Sequence, residues 1–125
     1  MSKKRILIID DDNRNIFALS ATLKAKGFEC LSRTSAREAI ELLKGTEEID
    51  AVLMDMMMPE MDGYQAIPKI KQIENRKQLP VIAVTAQAMQ GDKEKCLEAG
   101  ADGYISKPIN VDNMMELLAQ FKVGI

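Results

Sequence analysis

Two sets of acidic residues in this sequence lie directly after short apolar runs. Asp55 follows the apolar residues 51–54, and Asp10 and Asp11 follow the apolar residues 6–9. A carboxylate at the end of a buried strand costs free energy unless a site uses its charge. If both runs are strands, these carboxylates suit a divalent cation, because hard cations prefer oxygen ligands.

A hydroxyl group and an amine follow two further apolar runs. Thr85 follows residues 81–84, and Lys107 follows residues 104–106. In an open α/β sheet, ligands bind outside the carboxyl ends of the strands. The acids, the hydroxyl group and the amine are therefore expected to converge at that edge, where together they suit a divalent cation beside a phosphoryl group.

The absence of histidine narrows the possible chemistry. The chain contains no histidine, so it cannot build a Ser-His-Asp or Cys-His nucleophile system and lacks the commonest general base near neutral pH. Phosphohistidine cannot form within this chain. Any histidine that donates a phosphoryl group is expected on another protein.

Composition limits the class of protein. A length of 125 residues predicts one domain over residues 1–125. A net charge of -2, with both signs scattered, gives no electrostatic case for nucleic-acid binding.

No apolar run approaches the roughly 20 residues that span a bilayer. Without a signal peptide, Cys30 and Cys96 are expected to be free thiols in the cytoplasm.

Short apolar runs alternate with longer amphipathic ones, which predicts βαβ units and a parallel sheet. The predicted strands are 5–9, 28–32, 51–54, 80–84 and 103–106, and the predicted helices are 13–26, 35–44, 62–75, 88–99 and 111–121. Such a chain is expected to form a three-layer doubly wound α/β fold with five helices, a five-stranded parallel sheet and the flavodoxin-like strand order 2-1-3-4-5. The first and third strands are then neighbours. Pro68 is expected to kink the third helix.

The order and spacing of these motifs resemble the receiver domain of two-component response regulators over essentially the whole chain. The resembling segments are residues 6–11, 52–59, 61–63, 80–86, 100–104 and 107–108. The residues around Asp12 and Ala86 most resemble receivers attached to hybrid histidine kinases. The resemblance implies a Mg²⁺-dependent transfer of a phosphoryl group from a histidine kinase or a histidine phosphotransfer protein. It implies no enzyme activity beyond the receiver's own phosphorylation and dephosphorylation.

The resemblance also implies which residues form the site. Asp55 would be the phosphoacceptor, and Asp10, Asp11, Asp55 and the backbone carbonyl of Met57 would hold Mg²⁺. The apolar side chain of Met57 cannot orient an attacking water, whereas Gln87 could.

Three further residues would sense the phosphoryl group. By the resemblance, Thr85 would bind a phosphoryl oxygen, and Lys107, before a typically cis bond to Pro108, would form an ion pair with the phosphate. Tyr104 would change position on activation. The face of the fourth helix, fifth strand and fifth helix would then change shape for a downstream protein that the sequence does not name.

Other interpretations remain open at this point. Asp12 is expected to cap the first helix, and Asp10 and Asp11 could do the same. The Asp10-x-Asp12 spacing fits a small Mg²⁺-dependent phosphohydrolase of the haloacid dehalogenase type, although the chain is short for one. A phosphorylation-independent interaction module is the third possibility. The chain is expected to be either a stand-alone receiver or a part of a larger sensor kinase.

Overall fold

The computed structural model describes residues 3–86 and 91–121 of the chain. In these residues the strands are β1 (Arg5–Ile9), β2 (Glu29–Arg33), β3 (Ala51–Asp55), β4 (Val81–Thr85) and β5 (Gly103–Ser106). The helices are α1 (Asn13–Ala25), α2 (Ala36–Leu43), α3 (Gly63–Lys71), α4 (Asp92–Glu98) and α5 (Val111–Gln120), with a 3₁₀ turn at Glu74–Arg76.

The strands form one parallel sheet in the order β2-β1-β3-β4-β5. This order confirms the predicted flavodoxin-like topology. The register pairs Ile9 of β1 with Met54 of β3, and Asp55 of β3 with Val84 of β4. The carboxyl ends of β1, β3 and β4 therefore meet at one edge of the sheet.

Each face of the sheet carries its own core. Leu7, Val52 and Val81 pack with residues of α2, α3 and α4 on one face, and Ile6, Leu53, Ile82 and Ile105 pack with α1 and α5 on the other. Since β3 and β4 are buried at every position, they need apolar residues on both faces. Burying one such side chain contributes about 1.5–3 kcal/mol, so the middle of the sheet is the most firmly held part of the fold.

Short polar side chains set where four of the helices begin. The side chains of Asp12, Ser35, Asp62 and Asn110 each accept a hydrogen bond from a backbone N–H in the first turn, at 2.8–3.2 Å. A cap of this kind is worth about 1 kcal/mol. The predicted cap at Asp12 is confirmed.

The predicted end of the third helix at Asn75 is wrong. The helix passes Pro68 and ends at Lys71, and a 3₁₀ turn follows. The buried side chain of Arg76 in that turn donates to the carbonyl oxygens of Leu43 at 2.8 Å and Glu47 at 2.6 Å. These long-range bonds tie the turn to the loop before β3, so tertiary contacts override the local helical pattern.

The start of the fourth helix stays a prediction. Its predicted start, Ala88, lies outside the described residues. The described helix begins at Asp92, after Gly91 with a φ of +88°. That left-handed conformation favours glycine at this position.

The predicted ends of three strands shift by one residue each. The second strand runs from Glu29 to Arg33, and β3 and β4 extend to Asp55 and Thr85. None of the described helices has both the length and the apolar character to cross a lipid bilayer.

The fold predicts that Gly63→Ala destabilises the protein. A methyl group at Gly63 would overlap the sulfur of Met56 and lie 2.9 Å from its Cα. Met56 is fully buried, so the start of α3 and the loop after β3 must separate. We expect urea denaturation to show a loss of roughly 1–3 kcal/mol in the free energy of unfolding.

Gly45→Ala is the matched control, because the nearest atom to its new methyl group is the Leu42 carbonyl oxygen at 3.3 Å. It should lose clearly less stability than Gly63→Ala. Equal losses would contradict the close packing of α3 against Met56.

Candidate functional site

The carboxyl edge of the sheet gathers three acidic residues. One carboxylate oxygen from each of Asp10, Asp11 and Asp55 lies within 4.8 Å of the others. The side chains of Asp10 and Asp55 are buried and that of Asp11 is exposed. Two oxygens on opposite sides of one Mg²⁺ are about 4.2 Å apart, since Mg–O bonds are about 2.1 Å. The cluster therefore needs little closure to hold such a cation.

The two buried carboxylates are oriented in the same way. Oδ1 of Asp10 accepts the backbone N–H of Asp12 at 2.9 Å, and Oδ1 of Asp55 accepts that of Met57 at 3.1 Å. Each bond spans two residues, the turn geometry that aspartate favours. Asn15 of α1 also donates its amide to Oδ2 of Asp10 at 3.4 Å.

Lys107 brings a positive charge to the remaining oxygens. Its Nζ lies 3.9 Å from Oδ2 of Asp10 and 3.8 Å from Oδ2 of Asp55. Its backbone N–H donates to the carbonyl of Thr85 at 2.8 Å, and its bond to Pro108 is cis, as the resemblance implied. The lysine partly offsets the repulsion between the two carboxylates.

The surroundings of Asp55 favour its protonated form. Burial raises the pKa of its carboxyl group, and the negative charges of Asp10 and Asp11 raise that pKa further. The N–H of Met57 and the charge of Lys107 act in the opposite direction. Because the balance still raises the pKa, the ionised carboxylate would gain from added positive charge at this edge.

Asp12 has a separate role. Its side chain is exposed and accepts the backbone N–H of Arg14 at 2.8 Å, which caps α1. The carboxylates that meet among the described residues are those of Asp10, Asp11 and Asp55. The Asp10-x-Asp12 pairing that a haloacid dehalogenase would use is not the pairing that this fold assembles.

Thr85 and Tyr104 lie on neighbouring strands. Thr85 is 1% exposed at the end of β4 and pairs with Ser106 of β5, while Tyr104 pairs with Ala83. Tyr104 is half-buried and donates its hydroxyl hydrogen to Oδ2 of Asp92 at 3.2 Å. Burial and this bond raise the pKa of the Tyr104 phenol.

Met57 is the exposed methionine beside Asp55. Its side chain is 50% exposed, whereas Met54, Met56 and Met58 are buried and pack in the core. Binding of a metal by its backbone carbonyl stays a prediction. Gln87, the candidate for orienting water, lies outside the described residues.

The sequence interpretation missed two polar residues near this edge. Asn15 reaches Asp10, and Asp92 accepts hydrogen bonds from both Tyr64 and Tyr104. Asn15 lies in the first turn of α1, five residues after Asp10, a spacing that could have suggested its contact. Asp92 carries no comparable signal, because its partners are 28 and 12 residues away.

Comparison with known proteins places these residues in a family. Residues 6–119 match the family model of the response regulator receiver domain. The polar-differentiation response regulator DivK of Brucella ovis is 35% identical, with 94% of this chain and 95% of DivK covered. Histidine kinase 3 of Arabidopsis thaliana is also 35% identical over 94% of this chain, but only 13% of the kinase is covered. The chain thus spans a small part of the plant kinases it matches.

Solved structures agree with these relatives. The receiver domain of a sensor histidine kinase from Pseudomonas aeruginosa PAO1 is 32% identical, covers 97% of this chain and 99% of its own, and has a TM-score of 0.85. That structure has a magnesium ion coordinated in its active site cleft. The chemotaxis protein CheY4 of Vibrio cholerae, at 23% identity, a TM-score of 0.87 and coverage of 96% and 99%, shares the fold.

The raised pKa predicts how Asp55→Asn changes stability with pH. A group whose pKa is higher in the folded state contributes stability below its unfolded pKa and loses it as pH rises through the folded pKa. Asparagine does not ionise, so in EDTA the variant should melt at a higher temperature than the parent at neutral pH. The difference should shrink as the pH falls into the range where Asp55 is protonated.

Melting temperatures across a pH series would measure this effect. Glu48→Gln is the control, because Glu48 is exposed in the loop before β3, at the opposite edge of the sheet. A variant Asp55→Asn that is less stable than the parent at neutral pH would contradict the inferred cost of the ionised carboxylate.

Proposed function

This chain belongs to the response regulator receiver domains of two-component signalling, and we propose that it accepts a phosphoryl group on Asp55. The supporting observation is the convergence of three carboxylates with Lys107, whose Nζ lies 3.8 Å from Asp55 Oδ2. The donor would be a phosphohistidine on a histidine kinase or a histidine phosphotransfer protein, because the chain itself contains no histidine.

The proposed reaction joins a carboxylate oxygen of Asp55 to phosphorus. The bond from phosphorus to the donor imidazole breaks, the imidazole leaves with the bonding electron pair, and an acyl phosphate forms. The transition state is loose and places charge on the equatorial oxygens, so positioning and charge neutralisation carry the catalysis. Lys107 supplies a positive charge on one side of Asp55, and the N–H of Met57 fixes the carboxylate's orientation.

The site fits Mg²⁺ by its ligand chemistry. Asp10, Asp11, Asp55 and the backbone carbonyl of Met57 would hold the cation, which supplies the charge that offsets repulsion between the carboxylate and the incoming phosphoryl group. The relative from Pseudomonas aeruginosa, with magnesium in its cleft, supports this assignment.

The donor would dock beside α1 and α5. A cavity of about 300 Å³ lies between these helices and is lined by Asp10 and Lys107 of the site and by Leu19 and Met114. Phe17 of α1 is 77% exposed. Phe17 precedes Ala18, which lines the cavity, and would offer the docked donor an apolar contact. The free thiols of Cys30 and Cys96 fit a reducing cytoplasm.

Thr85 and Tyr104 would carry the signal from the site. Phosphorylation adds roughly two negative charges and strong acceptor oxygens at Asp55, and the hydroxyl group of Thr85 would donate to one of them. Tyr104 on the neighbouring strand would move as Thr85 moves. The face of α4, β5 and α5 would then bind an output protein differently in the two states.

Phosphate transfer can be tested with acetyl phosphate and Mg²⁺. We expect intact-protein mass spectrometry to show one added phosphoryl group, mapped to Asp55 and lost in Asp55→Asn. Omitting Mg²⁺ should remove most of the product, whereas Asp12→Asn should keep it, because Asp12 serves as a helix cap.

Each outcome separates the receiver from the alternatives. No adduct with functional phosphodonors would support a phosphorylation-independent interaction module. Steady turnover of small phosphate esters that depends on Asp10 would support a phosphohydrolase and contradict the receiver assignment.

Thr85→Ala should separate phosphorylation from its consequence. The backbone bond from Lys107 to the carbonyl of residue 85 remains, so Asp55 should still be modified at close to the parent's rate. Without the hydroxyl group, beryllofluoride should shift the amide NMR signals of α4 and β5 much less than in the parent. Thr85→Ser keeps the hydroxyl group and should respond like the parent. Equal responses of the parent and Thr85→Ala would contradict the role of Thr85.

A further inference from the structure

The carboxylate of Asp92 is buried where α3, α4 and β5 meet. It is 5% exposed, and each of its oxygens accepts a hydrogen bond from a different tyrosine. Tyr64 of α3 donates to Oδ1 at 2.9 Å, and Tyr104 of β5 donates to Oδ2 at 3.2 Å. The carboxylate of Asp92 therefore joins α3 and β5 to its own helix, α4.

The pairing of two donors with one buried charge has an energetic consequence. Hydrogen bonds to a charged group are about twice as strong as neutral ones, and a buried charge left without donors is costly. If Tyr104 leaves Asp92, Tyr64 still donates to the carboxylate. Tyr64 thus makes the release of Tyr104 less costly than it would be for a carboxylate held by Tyr104 alone.

We propose that Asp92 is a conformational latch that holds Tyr104 in the unphosphorylated arrangement, with Tyr64 as the second donor that permits its release. The proposal rests on the phosphorylation of Asp55 proposed above. It specifies which contact opposes the movement of Tyr104 that phosphorylation would cause. Tyr104 pairs with Ala83, two residues before Thr85 on β4, so a movement of Thr85 reaches the strand that carries Tyr104.

The latch predicts that substitutions of Asp92 and of Tyr64 change the affinity for beryllofluoride in opposite directions. Asp92→Asn replaces the charged acceptor with a neutral one, so Tyr104 is held less tightly and more of the protein is competent to bind beryllofluoride with Mg²⁺. The apparent affinity should rise about fivefold. Tyr64→Phe removes the second donor, makes release costlier and should weaken binding by a similar factor.

The double variant Tyr64→Phe/Asp92→Asn adds a further test. The weakening caused by Tyr64→Phe should largely disappear in the Asp92→Asn background, because the two residues act through one interaction. Glu94→Gln is the matched control. Glu94 is exposed on the same helix, so its loss removes one negative charge without touching either tyrosine, and the affinity should stay at the parent's value.

Tyrosine fluorescence reports on the latch directly. The chain has 2 tyrosines and no tryptophan, and both tyrosines contact Asp92. In Tyr64→Phe the emission comes from Tyr104 alone. A phenol bonded to a carboxylate emits weakly, because its excited state passes the proton to the base. Saturating beryllofluoride should therefore raise the emission of Tyr64→Phe, and the double variant should start bright and change little.

The outcomes distinguish a failure of the latch from a failure of the proposed phosphorylation of Asp55. Fluorine NMR shows whether beryllofluoride is bound. If the parent gives no bound resonance with Mg²⁺, the proposed function fails and the latch with it. If the parent binds but Tyr64→Phe and Asp92→Asn shift the affinity in the same direction, or not at all, the latch alone is overturned. Should Asp92→Asn fail to fold in a melting scan, Tyr64→Phe decides: unchanged or tighter binding, or unchanged emission, contradicts the latch.

Discussion

The burial of neighbouring carboxylates at one sheet edge is the constraint around which this structure is arranged. Asp10 and Asp55 are 3% and 5% exposed and lie next to Asp11. Backbone N–H groups and Lys107 offset part of the cost, yet burial and the charges of Asp10 and Asp11 keep the pKa of Asp55 raised. Clusters of this kind are concentrated at functional sites, where their charge is used. In the proposed function, the same unfavourable charge that costs stability would attract a cation and, through the cation, a phosphoryl group.

The middle of the sheet holds this cluster in place. Because β3 is buried at all five positions and pairs with β1 and β4, Asp55 cannot move away from Asp10 without breaking the core. Gly63 lets α3 begin against Met56, which fixes the loop that carries Met57. Lys107 reaches the cluster because β5 lies beside β4 and its N–H bonds the carbonyl of Thr85. Rigid strands thus place groups whose mutual repulsion would otherwise separate them.

Local patterns in the sequence predicted the strands, and the common flavodoxin-like topology supplied their order. Together they predicted the meeting of Asp10, Asp11 and Asp55. Apolar runs identify buried strands, and the position of a residue directly after a run places it at the carboxyl edge. Contacts between distant residues carried no such pattern. The third helix ends early because Arg76 bonds carbonyl groups about thirty residues away. The bonds of Tyr64 and Tyr104 to Asp92 depend on how α3, α4 and β5 pack, which periodicity does not encode.

Crystals grown with Mn²⁺ would show whether the three carboxylates form a divalent-cation site, since manganese scatters anomalously and prefers the same oxygen ligands. We expect one anomalous peak, with oxygens of Asp10, Asp11 and Asp55 within roughly 2.2 Å of the metal. A structure with no peak at saturating Mn²⁺, and with Lys107 still between Asp10 and Asp55, would contradict it.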